Sequence, residues 1–122
     1  MAEELSTRPP GKTTIAPNVL LTIARLTALS VKGVNSMCEL PGGVNRVFDR
    51  GYEEGVRIRI EGNQVFADIY VVLDHDVNVR EVSRNIQNDI SRAISEMVGM
   101  EVGRINVHIE DIHYPSEVLS ED

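Results

Sequence analysis

The stretch VRIRIEGNQVFADIYVVLD, from Val56 to Asp74, decides the fold. Apolar and polar residues alternate on both sides of a Gly62-Asn63 pair, a pattern that predicts two antiparallel strands joined by a tight turn. A two-residue turn fixes the register, because each residue before the turn then has a set partner after it. The predicted partners on the apolar face are Ile60 with Val65, Ile58 with Ala67 and Val56 with Ile69.

The other face of the same hairpin has a different composition. Its register places Arg57 opposite Asp68 and Arg59 opposite Phe66, an ion pair and a cation-π contact that each contribute at most about 1 kcal/mol in water. The chain has only three Tyr and two Phe, and Phe66 and Tyr70 are two of these five aromatic residues. Aromatic residues surrounded by charged residues are typical of a protein interface. The candidate interface comprises Arg57, Arg59, Phe66, Asp68, Tyr70 and Val72, with Asn106 and His108 beside them if the last strand neighbours the hairpin. The alternative is that a long loop or the C-terminal tail folds over the aromatic residues.

Length and charge narrow the class of protein. A chain of 122 residues with 42% hydrophobic content is long enough for one domain with a core and too short for two. Its net charge of -7 disfavours nucleic acid and anionic membrane surfaces as direct partners, because contacts to phosphate need basic residues. No apolar run approaches the roughly 20 residues of a membrane helix, and the N-terminus lacks the apolar core of a secretory signal. With Cys38 as the single cysteine, we expect a cytoplasmic protein without a disulfide.

The first helical pattern runs from Val19 to Val31. It is apolar over a broad stripe, and Pro17 suits the first turn, where its missing N–H costs nothing. The segment therefore predicts a mostly buried helix. A short strand is expected before this helix, through Ile15, and another after it, from Val34 to Cys38.

The second helical pattern is better marked. Asn78 followed by Glu81 three residues later is the signature of a capping box, and Gly99 is typical of a helix end. Between them, apolar residues recur at spacings of three and four, which indicates one buried helix face. These residues are Val79, Val82, Ile86, Ile90, Ala93, Ile94 and Met97.

A final strand is predicted from Val102 to Ile112, parallel to the second hairpin strand because it follows a strand-helix crossover. The second helix, about 30 Å long, matches the hairpin strand, about 33 Å long, and can cover its apolar face. The predicted fold class is α+β: a two-layer structure with a mixed β-sheet and two helices packed on one face. The predicted order is short strand, helix, strand, β-hairpin, helix, strand.

The remaining segments complete the predicted organisation. Residues 1–11 are expected to form a disordered arm, 12–112 the single domain and 113–122 an acidic mobile tail. Glu39 to Gly55, rich in glycine and without a sustained period, is predicted to be a loop. The predicted core comprises Val56, Ile58, Ile60, Val65, Ile69, Val71, Ile86, Ile90, Ile94, Ile105, Val107 and Ile109.

Two groups of residues could in principle bind a metal. The segment Asp74 to Asp76 fails, because neighbours on an extended chain point to opposite sides. His108, Glu110 and His113 are better placed, yet structural zinc needs four ligands and no cysteine joins them. No nucleophile elbow, paired-carboxylate site or dinucleotide-binding glycine motif is present. We expect no catalytic residue, no metal and no cofactor.

Three segments, in this order along the chain, resemble the alkaline shock protein family of bacterial envelope stress proteins, which includes general stress proteins of glucose starvation. They are ALSVKGVNSM (Ala28 to Met37), the hairpin, and GMEVGRINVHIEDI (Gly99 to Ile112). The resemblance covers roughly Lys12 to Ile112. Its most specific part is the strand INVHIEDI, which arrives just after the helix.

The resemblance implies a non-enzymatic cytoplasmic protein of the envelope stress response. It further implies a homo-oligomer that a membrane-anchored protein partner recruits to the cell membrane, without insertion of its own and without nucleic acid. The alternative is a small-ligand-binding regulator linked to fatty-acid or lipid metabolism, with the Glu39 to Gly55 loop as its site. An RNA-binding domain is disfavoured by the net charge and by the lack of a GXXG loop.

Overall fold

The computed structural model describes residues 15–38, 52–53 and 55–115. The predicted arm, most of the predicted tail and most of the Glu39 to Gly55 loop lie outside this part of the chain. So does the short strand predicted before the first helix, except for Ile15, which is in neither a helix nor a strand.

The described elements follow one another in the order that the sequence predicts, apart from one additional short strand. They are α1 (Pro17–Leu29), β1 (Val34–Met37), β2 (Tyr52–Glu53), β3 (Val56–Glu61), β4 (Gln64–Asp74), α2 (Val79–Val98) and β5 (Glu101–His113). The strands form one mixed sheet, and the helices pack against each other and against it, so the α+β fold class is confirmed. The short strand β2 was not predicted, because it lies in the segment read as loop.

Strand β4 is the centre of the sheet. Along one edge it pairs antiparallel with β3 over its first half and with β1 near its end, and along the other edge it pairs parallel with β5. The predicted hairpin register is confirmed in every pair, including Arg57 opposite Asp68 and Arg59 opposite Phe66. The prediction that the last strand runs parallel to β4 is confirmed as well.

The start and end of α2 also agree with the sequence. The side-chain oxygen of Asn78 accepts a hydrogen bond from the backbone N–H of Glu81 at 3.0 Å, which satisfies one of the otherwise unpaired donors of the first turn. Gly99 has a φ of 75°, the left-handed conformation that commonly ends a helix.

The core lies between the helices and one face of the sheet. Odd-numbered residues of β4 are buried there, together with one stripe of each helix. One residue of the predicted core is wrong: Ile60 is 40% exposed, because at the turn end of β3 it lines an open pocket with Ile15 and the end of α2. The predicted buried face of α2 is wrong at both of its ends, since Val79 is 43% exposed and Met97 is 70% exposed. Val107 and Ile109 are half-buried at the edge of the sheet.

Candidate protein interface on the outer sheet face

The sheet surface opposite the helices is called the outer face. It carries the even-numbered side chains of β4 and their neighbours on β3 and β5, and no helix among the described residues covers it. The central residues of the outer face are Arg57, Arg59, Phe66, Asp68, Tyr70, Val72, Arg104, Asn106 and His108. All six residues of the predicted interface therefore lie on one surface.

Phe66 is half-buried on this surface. The Arg59 guanidinium lies over its ring, 4.5 Å from the ring centroid, and Arg59 also pairs with the Glu61 carboxylate. The ring contacts the backbone of Gly103 so closely that a Cβ on Gly103 would come within 2.4 Å of it. A glycine in a strand often marks such a close approach. Gly103 thus lets the aromatic ring spread across two strands.

Asp68 connects β4 to β5 at the centre of the outer face. One of its carboxylate oxygens, Oδ1, accepts a hydrogen bond from the Asn106 amide and contacts His108 Nε2, both at 3.1 Å. The His108 ring in turn stacks on Tyr70, with ring centroids 4.4 Å apart and planes 10° from parallel. The network holds the Tyr70 ring in one orientation.

Tyr70 has a perturbed acidity. Burial raises its pKa above the ordinary 10.0, because the phenolate loses hydration; the Asp68 carboxylate raises the pKa further, Arg57 lowers it, and Glu110 raises it. The side chain is therefore a neutral phenol at physiological and mildly alkaline pH, able to donate a hydrogen bond.

This shift predicts an alkaline loss of stability. The folded state holds the phenolic proton more tightly than the unfolded state, so the contribution is complete below the ordinary tyrosine pKa and is lost as the pH rises through the folded pKa. Tyr70→Phe should flatten the fall of the unfolding midpoint above pH 10.0, measured by circular dichroism. The matched control, Tyr114→Phe, changes an exposed tyrosine and should leave the slope unchanged. An unchanged slope in Tyr70→Phe would contradict the prediction.

Sequence reasoning missed two features of the outer face. Gly103 and Arg104 were not included, although an isolated glycine in a strand pattern is a signal for a bulge or a close approach. The stacking of His108 on Tyr70 was not predicted either, because it depends on the register between β5 and β4.

Metal-ligand groups and membrane-spanning helices were sought in the part of the chain that the structure describes. Residues 15–38, 52–53 and 55–115 contain no group of three or more His, Cys, Asp or Glu that could hold a metal ion. His108 contacts Asp68 instead of Glu110 and His113. Within the same residues, no helix is long and apolar enough to cross a membrane.

Comparison with known proteins gives a consistent result. The profile of the alkaline shock protein 23 family, described by a cell envelope-related function, matches residues 6–114. The uncharacterized protein Spy1535 of Streptococcus pyogenes serotype M6 is 32% identical over 111 residues, covering 88% of this chain and 84% of the relative. The uncharacterized protein YqhY of Bacillus subtilis (strain 168) is 28% identical over 109 residues, covering 88% and 81%.

Among solved structures, the zinc form of a MamM CTD variant is similar with a TM-score of 0.50 and 14% identity, covering 80% of this chain and 87% of that one. This likeness concerns the fold alone. The family match spans nearly the whole chain and confirms the resemblance seen in the sequence. The chain belongs to the alkaline shock protein 23 family, for which a cell envelope-related function is described.

Proposed function

We propose that the chain is a non-enzymatic interaction module that self-associates through its outer face and is recruited to the cell membrane by a membrane-anchored protein partner. The observation that carries the proposal is the pair Phe66 and Tyr70. Both are half-buried on a sheet face that no described helix covers, and both are held in place by neighbouring side chains.

The arrangement has the anatomy of a protein interface. Aromatic residues supply contact area at the centre of such surfaces, and charged residues form the rim. The rings of Phe66 and Tyr70 are already ordered by Arg59 and His108, so binding costs less side-chain entropy than it would for free rings. Arg57 and Arg59 stand on the same surface as Asp68, so copies of this surface can offer both signs of charge to each other.

Net charge sets the conditions for assembly. Copies with a charge of -7 repel one another at long range, and salt screens this repulsion. Contacts through the outer face are short-ranged and apolar at their centre. Self-association should therefore strengthen, not weaken, as the salt concentration rises.

Recruitment through a protein partner is supported by the family and by the charge. The family has a cell envelope-related function, whereas an anionic lipid surface repels a chain of charge -7. The alternative predicted from the sequence, a ligand-binding regulator of lipid metabolism, places its site in the Glu39 to Gly55 loop. Most of that loop lies outside the described residues.

The proposal is tested by Tyr70→Asp. The new carboxylate lies close to Asp68 on the outer face, so we expect the weight-average mass from light scattering to fall toward that of the monomer. The effect should appear at both low and high salt. Thermal unfolding of the same samples shows whether the variant is folded.

Met97→Asp is the matched control, because it adds the same charge at a residue that is 70% exposed on α2, away from the outer face. It should assemble like the parent protein. Arg57→Glu tests the exposed rim without removing a stacked ring and should also weaken assembly. If the folded Tyr70→Asp and Arg57→Glu variants both assemble as well as the parent, the outer face is not the contact surface.

A further inference from the structure

Strand β5 is a long edge strand. It spans Glu101–His113 and, among the described residues, pairs only with β4. Its other edge, called here the β5 edge, therefore presents backbone N–H and C=O groups without a strand partner in the described chain. Edges of this length are usually shortened, covered or blocked, because they can pair with another strand.

Backbone hydrogen bonds establish which groups of β4 point toward β5. Tyr70 exchanges backbone hydrogen bonds with Cys38 and Gly55, and the Asp74 N–H donates to Gly33, so even-numbered residues of β4 point toward β1 and β3. The Glu101 N–H donates to the carbonyl of Asn63, on the other side. The backbone N–H and C=O groups of the odd-numbered residues of β4 therefore point toward β5.

The pairing of β4 with β5 also shows which backbone groups of β5 point away from β4. In each residue pair of a parallel ladder, one residue directs its backbone N–H and C=O toward the partner strand. The other residue of the pair directs its own N–H and C=O away from that strand. The residues opposite odd-numbered positions of β4 are Val102, Ile105, Val107, Ile109 and Ile112. The Ile105 carbonyl does point away from β4, since it accepts a hydrogen bond from the Gln87 side chain of α2 at 3.0 Å. This carbonyl therefore has a donor within its own chain, and a second strand would share it through the other lone pair.

These five residues are arranged symmetrically. At two irregularities in the pairing, Gly103 and Glu110 are additional residues of β5 that have no partner on β4. As a result, Ile105 and Ile109 flank Val107 at equal spacing, and so do Val102 and Ile112. A two-fold axis at Val107 superposes the whole set of outward groups on itself, and no other residue of the strand has this property.

The charged side chains follow the same symmetry. With two β5 strands antiparallel about Val107, Arg104 of each copy lies opposite Glu110 of the other, and Glu101 lies opposite His113. Ile105 lies opposite Ile109 on the helix side of the sheet, where cross-strand apolar pairs are favourable. Two copies of the strand, antiparallel to each other, thus match in the spacing of their outward backbone groups, in charge and in hydrophobicity.

We infer that the β5 edge binds the β5 edge of a second copy, antiparallel and with a two-fold axis at Val107, which joins two five-stranded sheets into one. The pairing rests on the self-association proposed above and names a second surface for it. Both copies place their helices on the same side of the joined sheet. Their outer faces then form one continuous surface on the other side.

A charge exchange tests this register. Arg104→Glu places two acidic side chains opposite each other, and Glu110→Arg places two basic ones, so each single variant should raise the dimer dissociation constant by at least about tenfold. The double variant Arg104→Glu/Glu110→Arg should restore it. Net charge alone gives a different result, because Glu110→Arg lowers the negative charge and would then strengthen association. Sedimentation equilibrium measures the dimer dissociation constant of the parent protein, the two single variants and the double variant.

Val107→Pro provides a second test. The N–H of Val107 points away from β4, and proline is tolerated on edge strands at such positions, so the variant should keep its circular dichroism spectrum and lose the dimer. Val107→Thr retains the N–H and should still dimerise. Failure of the double variant to restore association, or full association of a folded Val107→Pro, overturns the β5 pairing.

The outcomes also separate this inference from the proposed function. If the parent assembles, the β5 variants assemble equally well and Tyr70→Asp does not, the β5 pairing is overturned and the outer-face function stands. If the parent remains monomeric at every concentration and salt level, both are overturned.

Discussion

Ile90→Ala is expected to lower the free energy of unfolding by about 2–5 kcal/mol. Ile90 lies in the middle of α2 and is fully buried, on the same stripe as Ile86 and Ile94. Truncation removes apolar contacts and leaves a cavity, because the flanking residues belong to a regular helix and a regular sheet that cannot collapse into it. Urea denaturation followed by circular dichroism measures the loss.

Met97→Ala is the control on the same helix. Its side chain is 70% exposed, so the change should stay within about 0.5 kcal/mol, as for ordinary surface substitutions. A loss at Ile90 no larger than the loss at Met97 would show that α2 packs on the sheet through a different face.

Gly55→Ala is expected to cost about 2–5 kcal/mol, the sum of backbone strain and a steric clash. Gly55 has a φ of +85°, and a Cβ there would come within 2.4 Å of the Cys38 carbonyl oxygen and 2.8 Å of the Tyr70 carbonyl oxygen. Both are backbone atoms, so no side-chain rotation relieves the clash. Thermal and urea unfolding of the variant measure the cost.

Gly62→Ala separates the two contributions. Gly62 has a similar positive φ of +62°, but a Cβ there meets nothing within 4 Å. It should show only the backbone strain, about 1–2 kcal/mol. Equal losses at Gly55 and Gly62 would contradict the close packing of β1 and β3 around Tyr70.

Much of the fold could be predicted because local signals fix it. The two-residue turn sets the register of β3 and β4, and Asn78 with Glu81 sets the start of α2. The arrangement of β1 and β3 end to end along one edge of β4 could not be predicted. Their alternating sequences are the same whether each strand extends the sheet or shares an edge, and the arrangement depends on the backbone hydrogen bonds of Tyr70.

The candidate site was predictable in part for the same reason. The hairpin register alone places Arg57, Arg59, Phe66, Asp68 and Tyr70 on one face. The contacts of Asp68 and Tyr70 with β5 depend on the pairing irregularities at Gly103 and Glu110, which shift every later residue of the strand. Only the glycine gave a signal in the sequence. Ile60 was misassigned because alternation identifies a face but not where a covering helix ends.

Association of the chain with copies of itself underlies both the proposed function and the β5 pairing. The most direct measurement is sedimentation equilibrium of the unmodified protein from micromolar to millimolar concentration, at low and at high salt. Self-association gives a weight-average mass that rises above that of the monomer with concentration and rises further at high salt, because screening removes the repulsion between chains of charge -7. A monomer mass at every concentration and at both salt levels would rule out self-association.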